Sequence, residues 1–296
     1  GGRGGRAFIL RESFNHEHSE ELLAQAVSSA LLHADRGEPT VLDEAVPLYP
    51  LWSLGNLWHW LFESMPKVCL MESAGYKGQY IVNATSKVVL EGLELMGVGP
   101  ERIVHCAGPH LIRRAVIPHV IYWSGLYEHK RVLSTIRERL LEAAGALEGE
   151  KRCFIRRIGT RCLLNEAELL AALHAYDIEV LVPEEHSLRA QISFMSNAGL
   201  TLSPHGANSA LAFFQQRKSV FMEFFGHDHI NNGCNLITIK FLELLYLPVT
   251  QTVLSGQPLG VGASGAGLDD YRIDVDLVAA ILGNISSNIY RLYVMA

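Results

Sequence analysis

The second half of the chain alternates between short extended runs and runs with helical spacing. Apolar and β-branched stretches predict strands at residues 152–157, 178–182, 200–203, 220–224 and 247–253. Helical patterns separate most of these strands, with Asn165 and Ser187 placed as caps. Strands that alternate with helices are typical of βαβ units, so this half predicts an α/β fold with a parallel sheet. Ligands of such sheets bind beyond the carboxyl ends of the strands.

The first half has the same kinds of segment in a less regular order. Extended runs predict strands at residues 7–10, 40–42, 80–82, 102–106 and 111–118. Helical patterns predict helices at residues 19–36, 56–66, 86–96 and 127–147. A change of composition at residues 147–152 marks a linker, so the predicted domains are 6–148 and 149–296. A final helix is predicted at 270–282, with the option of packing back on the N-terminal domain.

The strongest local pattern is the stretch from Leu200 to Phe214, which predicts a strand, a tight turn and a helix. The amides at a helix start and the positive end of its dipole favour an anion, and Gly206 lets a ligand approach the backbone closely. A phosphate is the expected ligand. The side chains that could bind it are Ser203, His205, Asn208 and Ser209.

Charged residues near the ends of two other predicted strands fit the same ligand. Arg156, Arg157 and Arg161 follow the strand at 152–157 and could clamp a diphosphate. Glu223 lies in the strand at 220–224 and could accept hydrogen bonds from two ribose hydroxyls. The alternatives are a solvated arginine cluster and a His205 that only shapes the turn.

A predicted helix in the first half carries one polar stripe among large apolar residues. Asn56, His59 and Glu63 recur at i, i+3 and i+7 and therefore share one face. A histidine and an acid on an otherwise buried helix need a partner or a function. A structural His59–Glu63 pair is the alternative to a catalytic one.

The overall composition excludes several classes of protein. The net charge of −6 and the pI near 6.1 argue against a nucleic-acid binder. Neither a spanning helix nor a signal peptide is apparent, and the scattered cysteines fit a reducing cytoplasm. Asp274 and Asp276 imitate a metal motif but are expected to cap a helix, and His227 and His229 are expected in a solvated loop.

Four segments, taken together and in order, resemble the glycosyltransferase family 61 group, also called the DUF563 domain, with its bacterial capsular-polysaccharide enzymes. The resemblance covers roughly residues 47–282. The segments are Asn56-Leu-Trp-His-Trp-Leu-Phe-Glu-Ser-Met-Pro-Lys67, Phe154-Ile-Arg-Arg-Ile-Gly-Thr-Arg-Cys-Leu-Leu-Asn-Glu166, Ser203-Pro-His-Gly-Ala-Asn208 and Tyr271-Arg-Ile-Asp-Val-Asp276.

The resemblance implies a GT-B-like architecture, in which two Rossmann-like domains with parallel sheets face each other across a cleft. It also implies an inverting, metal-independent glycosyltransferase that moves a sugar from a nucleotide sugar to a glycan or lipid-linked acceptor hydroxyl, in capsule or other surface polysaccharide synthesis. No metal or other cofactor is expected. The expected location is the cytoplasm, with peripheral association at the inner membrane face left open.

An inverting transfer needs a base for the acceptor hydroxyl and positive charge on the leaving diphosphate. Glu63 is the expected base, His59 comes next, and Asn56 is assigned to the acceptor side. The donor-binding residues are Arg157, Arg161, Ser203, His205, Gly206, Ala207, Asn208 and Glu223. The alternatives are an inactive nucleotide-sugar-binding protein and a hydrolase that uses Ser203 and His205.

Overall fold

The computed structural model describes residues 39–48, 56–82, 86–106, 110–118, 130–147, 149–226, 233–250 and 270–292. It divides the chain into two compact units, Gly1–Ala143 and Ala144–Ala296. The predicted strand at 7–10, the predicted helix that follows it and the pair His227 and His229 lie outside the described residues.

Both units are α/β, and their strands form two parallel sheets. The first unit contains β1 (Thr40–Pro47), β2 (Gln79–Val82), β3 (Ile103–His105) and β4 (His110–Ala115) in the order β3-β2-β1-β4. The order reverses between β1 and β4. The crevice at such a reversal, outside the carboxyl ends of the strands, is where open α/β sheets bind their ligands.

The helix that follows β1 is interrupted by a wide turn. It consists of α1 (Leu57–His59), a π-helical turn at Trp60–Ser64 and α2 (Met65–Ser73). The N–H of Met65 bonds to the carbonyl of Trp60, five residues back, and the next residue, Pro66, has no N–H to continue an α-helical pattern. The described part of this unit also contains α3 (Lys87–Leu95), a 3-10 turn (Pro100–Arg102) and α4 (Lys130–Ala144).

The second unit contains β5 (Lys151–Ile155), β6 (Ile178–Leu181), β7 (Ala198–Pro204), β8 (Val220–Phe225) and β9 (Leu245–Thr250). The strand order is β6-β5-β7-β8-β9, and every pair is parallel. This is a doubly wound order whose reversal lies between β5 and β7. All six residues of β8 are buried, as expected of a strand covered on both faces.

Helices cover both faces of this sheet. Side chains from one face of the strands, including Phe154, Leu202 and Met222, pack with residues of α5 (Glu166–His174) and α8 (Val275–Leu292). On the other face, Cys153 contacts Met195 of α6 (Leu188–Ser196). Short 3-10 helices occur at Pro183–Glu185, Ala207–Phe214 and Gly233–Asn235.

Two elements of this unit differ from the sequence prediction. The segment after the turn, Ala207–Phe214, is a 3-10 helix, whereas the pattern predicted an ordinary helix. The spacing of apolar residues at 236–246 predicts one helix, but the helix ends early, as α7 (Leu236–Leu242), because Glu243 adopts a left-handed conformation with φ of 58°. Tyr246 therefore lies on β9, next to β8, and not on a helix.

Candidate functional site

Two loops meet at the reversal point of the second sheet. β5 leads into the segment 156–162, and β7 leads into the turn at His205 and Gly206. Because β5 and β7 are parallel neighbours, these segments leave the sheet at the same edge. The crevice is therefore formed by the two segments that the sequence predicted to bind a diphosphate.

The turn offers a group of backbone donors. Within the described part of the chain, the amides of Gly206, Ala207 and Asn208 donate no hydrogen bond, whereas the next amide, of Ser209, bonds to the carbonyl of Gly206 at 3.1 Å. The preceding amide, of His205, bonds to the carbonyl of Phe224 at 2.8 Å and extends the pairing with β8. Successive amides without acceptors at a helix start form a concavity suited to an anion. We call Gly206, Ala207 and Asn208 the amide cradle.

Arg157 adds a positive charge to the amide cradle. A Cβ placed on Gly206 would overlap its guanidinium group, so residue 206 must be glycine for the arginine to lie there. The Nε–H of Arg157 donates to the carbonyl of Thr160 at 2.5 Å. No described carboxylate forms an ion pair with Arg157. Burial, and then the charge of Arg161, lower the pKa of Arg157, which indicates a concentrated positive potential.

The other two arginines of this loop have different environments. Arg156 pairs with Glu166 at 2.7 Å, so it stabilises the start of α5 and is not available to the predicted diphosphate clamp. The hydrogen bond to Glu166 raises the pKa of Arg156. Arg161 adopts a left-handed backbone with φ of 59°, which is strained for a residue with a Cβ and must be maintained by the surrounding loop.

His205 lies at the back of the turn and is held by a buried acid. Its Nδ1 is 2.7 Å from Oε1 of Glu223, and the exposed fractions of the two residues are 5% and 1%. The ring also stacks on Phe225, with centroids 4.9 Å apart. Since Glu223 engages Nδ1, any contact of the ring with a ligand must use Nε2.

Glu223 is surrounded by donors from the protein. Oε1 also accepts a hydrogen bond from Nδ2 of Asn235 at 2.6 Å, and Oε2 accepts one from the hydroxyl of Tyr246 at 2.8 Å. Burial and the negative charge of Glu223 raise the pKa of Tyr246, which keeps its hydroxyl protonated as a donor. The predicted contact between Glu223 and a ribose has no support in this geometry, because Glu223 is 1% exposed and its carboxylate accepts hydrogen bonds from Asn235 and Tyr246.

The remaining residues assigned to the donor divide between the interior and the surface. Ser203 is 1% exposed, and its hydroxyl donates to the carbonyl of Pro204, so it is not presented to a substrate. This also removes the nucleophile that the hydrolase alternative needs. Asn208 is partly exposed, and its Nδ2 donates to Glu184 at 2.9 Å. Glu184, which follows β6, places a carboxylate at the rim of the amide cradle.

The segment at residues 270–274 ties the two loops together. Tyr271 forms a parallel bridge with Leu163, and Asp270 accepts a hydrogen bond from the amide of Cys162 at 2.8 Å. The Tyr271 hydroxyl donates to the carbonyl of Phe224 at 2.7 Å, just beyond Glu223 on β8. Three of the four segments that carried the family resemblance thus meet at one edge of one sheet.

No candidate metal centre is found in the parts of the chain that the structure describes. Asp274 accepts a hydrogen bond from the amide of Leu277 at 2.9 Å, so it caps α8 as the sequence analysis expected. Among the described helices, none is both long enough and apolar enough to cross a membrane.

The polar stripe of the first unit lies in the helix that follows β1, one of the two strands between which the order of the first sheet reverses. Nδ1 of His59 and Oε1 of Glu63 are 3.0 Å apart, but they lack the alignment of a hydrogen bond. Their side chains are 25% and 11% exposed. The pair spans the π-helical turn, a feature that is frequent at functional sites. An accessible acid beside an imidazole can exchange a proton with a substrate.

Asn56 and Lys67 extend this stripe in both directions. Asn56 is the N-cap of α1, because its side chain accepts hydrogen bonds from the amides of Trp58 and His59 at 3.0 and 3.3 Å. Its predicted acceptor-side role is thus combined with a structural one. Lys67 lies four residues after Glu63, and burial lowers its pKa while the charge of Glu63 opposes the shift. The first unit therefore carries an imidazole, an acid and an amine on one partly exposed face.

Comparison with known protein families shows to which family the chain belongs. The sequence profile described as Glycosyltransferase 61 matches residues 57–222, which is more than half of the chain. The chain belongs to the glycosyltransferase 61 family. The matched range contains His59 and Glu63 of the polar stripe, the arginine loop at 156–162 and the amide cradle. Glu223, Asn235 and Tyr246 lie beyond it.

Curated relatives of this glycosyltransferase 61 chain are animal enzymes. It is 30% identical over 119 residues to protein O-linked-mannose β-1,4-N-acetylglucosaminyltransferase 2 of Bos taurus, a match that covers 38% of this chain and 20% of the relative. The enzyme of the same name from Mus musculus is 32% identical over 119 residues, or 37% and 20% of the two chains. The matched part thus spans about a fifth of these relatives' length.

The residues that support His205 and Glu63 were missed by the sequence analysis. Asn235 was passed over, and Tyr246 fell in a predicted helix, so neither was connected with Glu223. Glu184 follows a predicted strand, and its position at the carboxyl edge was the available signal. Lys67 follows Glu63 by four residues, so helical spacing alone would have placed it on the stripe.

Proposed function

We propose that this glycosyltransferase 61 protein is an inverting, metal-independent glycosyltransferase of GT-B type, and that the amide cradle and Arg157 bind the diphosphate of its nucleotide-sugar donor. The observation that carries the proposal is the group of three amides without acceptors beside a partly buried guanidinium at the order reversal of the second sheet. Oriented amides and a fixed cation stabilise the charge that develops on a leaving diphosphate.

The proposed role of each residue follows from its surroundings. Amides of Gly206, Ala207 and Asn208 bind phosphate oxygens, and Arg157 and Arg161 neutralise their charge. His205 binds the diphosphate through Nε2. Glu223 does not contact the donor but holds His205. No metal is needed for this set of contacts, because their positive charge supplies what a divalent cation would otherwise provide.

For the acceptor hydroxyl, the proposed base is Glu63, with His59 as its partner. In the transfer, the acceptor oxygen forms a bond to the anomeric carbon while the bond from that carbon to the phosphate oxygen breaks. The acceptor proton passes to Glu63, and the electron pair of the broken bond stays on the diphosphate. One such displacement inverts the anomeric configuration. A carboxylate that is 11% exposed is accessible enough to take this proton.

The choice of sugars is proposed from the relatives and the family resemblance. The relatives' name includes N-acetylglucosaminyl transfer to an O-linked mannose, so nucleoside diphosphate N-acetylglucosamine is the first donor to test. The acceptor is a glycan hydroxyl. An O-mannosyl peptide and a capsule-type polysaccharide repeat represent the two acceptor classes that the relatives and the resemblance suggest.

A coupled transfer assay in EDTA tests this proposal. Nucleotide-sugar donors are incubated with each acceptor, and both free diphosphate and glycosylated acceptor are measured. The proposal predicts equal amounts of the two products, no requirement for added Mn²⁺, and a product whose anomeric configuration is opposite to that of the donor. Binding of donor without any glycosylated product, across acceptors, would instead identify a nucleotide-sugar-binding protein. Retention of configuration would contradict the single displacement.

A further inference from the structure

A carboxylate lies at the rim of the amide cradle and has no role in the contacts proposed for the diphosphate. Glu184 belongs to the 3-10 helix at Pro183–Glu185, which follows β6. β6 pairs in parallel with β5, and the N–H of Arg156 bonds to the carbonyl of Leu181 at 2.8 Å. The chain after β6 therefore leaves the sheet beside the arginine loop, at the edge that holds the amide cradle.

The backbone that carries Glu184 is fixed by a buried side chain. Nε2 of Gln191, a residue that is 3% exposed, donates to the carbonyls of Pro183 and His186 at 2.7 and 3.0 Å. Pro183 is itself buried, and its ring fixes the backbone angle φ. The exposed side chain of Glu184 therefore starts from a well-defined backbone position.

One hydrogen bond holds the Glu184 carboxylate against the amide cradle. Oε1 accepts a hydrogen bond from Nδ2 of Asn208 at 2.9 Å, and the backbone amide of Asn208 belongs to the cradle. Oε2 has no hydrogen-bond or ion-pair partner among the described residues. Burial lowers the pKa of Arg157, and the charge of Glu184 is among those that oppose this shift. The acid therefore lies near both kinds of group that are proposed to bind the diphosphate.

A carboxylate in this position disfavours a bare anion. The carboxylate and a diphosphate carry charges of the same sign, so they repel each other at short range. An ionised carboxylate can only accept hydrogen bonds, and the groups of a nucleotide sugar next to its diphosphate that can donate them are the hydroxyls of the ribose and of the transferred sugar. Glu184 therefore favours a diphosphate that carries hydroxyls over one that has none.

The topology of the second sheet favours the ribose as the source of these hydroxyls. In dinucleotide-binding sheets, the phosphates bind at the turn after the first strand, and an acid further along the chain hydrogen-bonds the ribose. Here the arginine loop follows β5, the first strand of the sheet, and Glu184 follows β6, the second strand. The acid thus has the same place in the strand order.

We propose that Glu184 binds the hydroxyls of the donor's ribose and so makes the amide cradle select nucleoside diphosphates over bare diphosphate. Asn208 then has two roles, because its backbone amide faces the diphosphate and its side chain positions Glu184. This inference rests on the proposed donor site. It gives Glu184 the ribose contact for which the geometry of Glu223 has no support.

The test compares ligands that differ in their hydroxyls. Calorimetry at pH 8 in EDTA with the full chain first screens uridine, guanosine and adenosine diphosphates. The tightest of them is then compared with its 2′,3′-dideoxy form, which lacks both ribose hydroxyls, and with inorganic pyrophosphate. We expect the dideoxy form to bind the wild-type chain roughly tenfold more weakly than the parent nucleotide, the effect of one hydrogen bond to a charged group.

Glu184→Gln removes the charge and keeps an oxygen that can accept the Asn208 hydrogen bond. Pyrophosphate should bind about twofold to fivefold more tightly, because a like charge is lost, and this gain should shrink as salt is added. The nucleoside diphosphate should bind about threefold to tenfold more weakly, because its hydroxyls lose a charged acceptor. A general loss of structure cannot change the two affinities in opposite directions.

Two further variants separate the charge from its position. Glu185→Gln is the matched control, since it removes the same charge from the next residue, which is also exposed. Both affinities should then change by less than about twofold. Asn208→Ala keeps the backbone amide and the Glu184 charge but releases the carboxylate. It should weaken the nucleoside diphosphate by about threefold and leave pyrophosphate within about twofold.

The outcomes separate this inference from the proposed function. If Glu184→Gln changes the affinities for all three ligands by the same factor, Glu184 does not bind the ribose and the donor site stands. A dideoxy form that binds the wild-type chain as tightly as its parent nucleotide would equally overturn the ribose contact alone. If the wild-type chain binds neither pyrophosphate nor any of the nucleoside diphosphates, the donor site is wrong and this inference falls with it.

Discussion

The His59–Glu63 pair of the first unit and the His205–Glu223 pair of the second have the same chemistry in different surroundings. The second pair is almost fully buried, its atoms are 2.7 Å apart, and further donors fix the acid. The first pair is 25% and 11% exposed, lies across a π-helical turn and lacks hydrogen-bond alignment. A rigid pair is suited to holding a charge, and a loose, accessible pair is suited to moving a proton.

Both pairs are close in sequence to a reversal of strand order. The His205–Glu223 pair lies at the carboxyl edge of the second sheet, and the His59–Glu63 pair lies in the helix that follows β1, one of the two strands between which the order of the first sheet reverses. The two pairs differ in the number of hydrogen-bond donors around the acid. We infer that this number determines whether the pair is held rigidly or can exchange a proton. Variants of the two regions should therefore affect different steps of the reaction.

The largest expected effect is a loss of turnover when the His59–Glu63 pair is changed. Glu63→Gln should lower the turnover number for transfer by at least about 100-fold, the usual contribution of a general base. The dissociation constant of the donor diphosphate should change by less than about twofold, since Glu63 is not assigned to the donor. Turnover assays and calorimetry on the same preparation check both values. An unchanged turnover number would remove Glu63 as the base.

The next effect is a difference in diphosphate binding between variants of two neighbouring arginines of the second unit. Arg157→Ala should weaken diphosphate binding by about tenfold to 100-fold, because it removes the cation packed against Gly206. Arg156→Ala is the matched control: it breaks the ion pair with Glu166 and should leave the dissociation constant within about twofold. Equal losses in the two variants would show that general charge, and not the geometry at Gly206, attracts the ligand.

A smaller effect is expected from Gly206→Ala. The added methyl group would overlap the guanidinium of Arg157, a flexible side chain that can move away. We expect binding to weaken by about threefold to tenfold and the thermal midpoint of unfolding to fall by a few degrees, because the backbone of Gly206, with φ of 159° and ψ of −171°, is one that residues with a side chain rarely adopt. Adding Gly206→Ala to Arg157→Ala should then have almost no further effect. A full additional loss would mean that the two residues act independently.

The smallest effect concerns Lys67 and stability. Burial lowers its pKa, with the Glu63 charge acting against the shift, so folding disfavours the charged amine. This cost is present at pH values below the lowered, folded pKa and disappears as the pH rises through the ordinary pKa of the unfolded chain. Lys67→Met should therefore raise the unfolding midpoint at pH 7 by a few degrees, and the gain should vanish at high pH. Differential scanning calorimetry at several pH values checks this, and a lower midpoint at pH 7 would contradict it.

The sequence was sufficient for the sheet and the turn but not for the contacts behind them. The pattern of apolar runs predicted strands alternating with helices in βαβ units. The Ser-Pro-His-Gly segment predicted a tight turn after a strand. The partners of Glu223 come from residues 12 and 23 positions later, and one of them depends on α7 ending at a left-handed Glu243. The spacing of apolar residues along the sequence does not show that a helix ends at such a residue.

Two further features of the structure differ from the sequence prediction: the helical geometry around Glu63 and the pairing of Arg156. Ideal helical spacing placed Asn56, His59 and Glu63 on one face, but the π-helical turn changes the phase and Asn56 serves as a cap. The Arg156–Glu166 pair likewise could not be read from charge alone, since three arginines near one strand end looked equivalent. Side-chain pairing, and not residue type, decided which of them can bind an anion.

The amide cradle is proposed to bind the diphosphate of a nucleotide sugar without a metal. Heteronuclear NMR of the ¹⁵N-labelled chain during titration with nucleoside diphosphates in EDTA observes those amides directly. We expect the Gly206, Ala207 and Asn208 amide protons to shift downfield on saturation with one of these ligands, as amides do when they donate to an anion. Saturation that leaves these three resonances in place, or binding that appears only after a divalent cation is added, would contradict it.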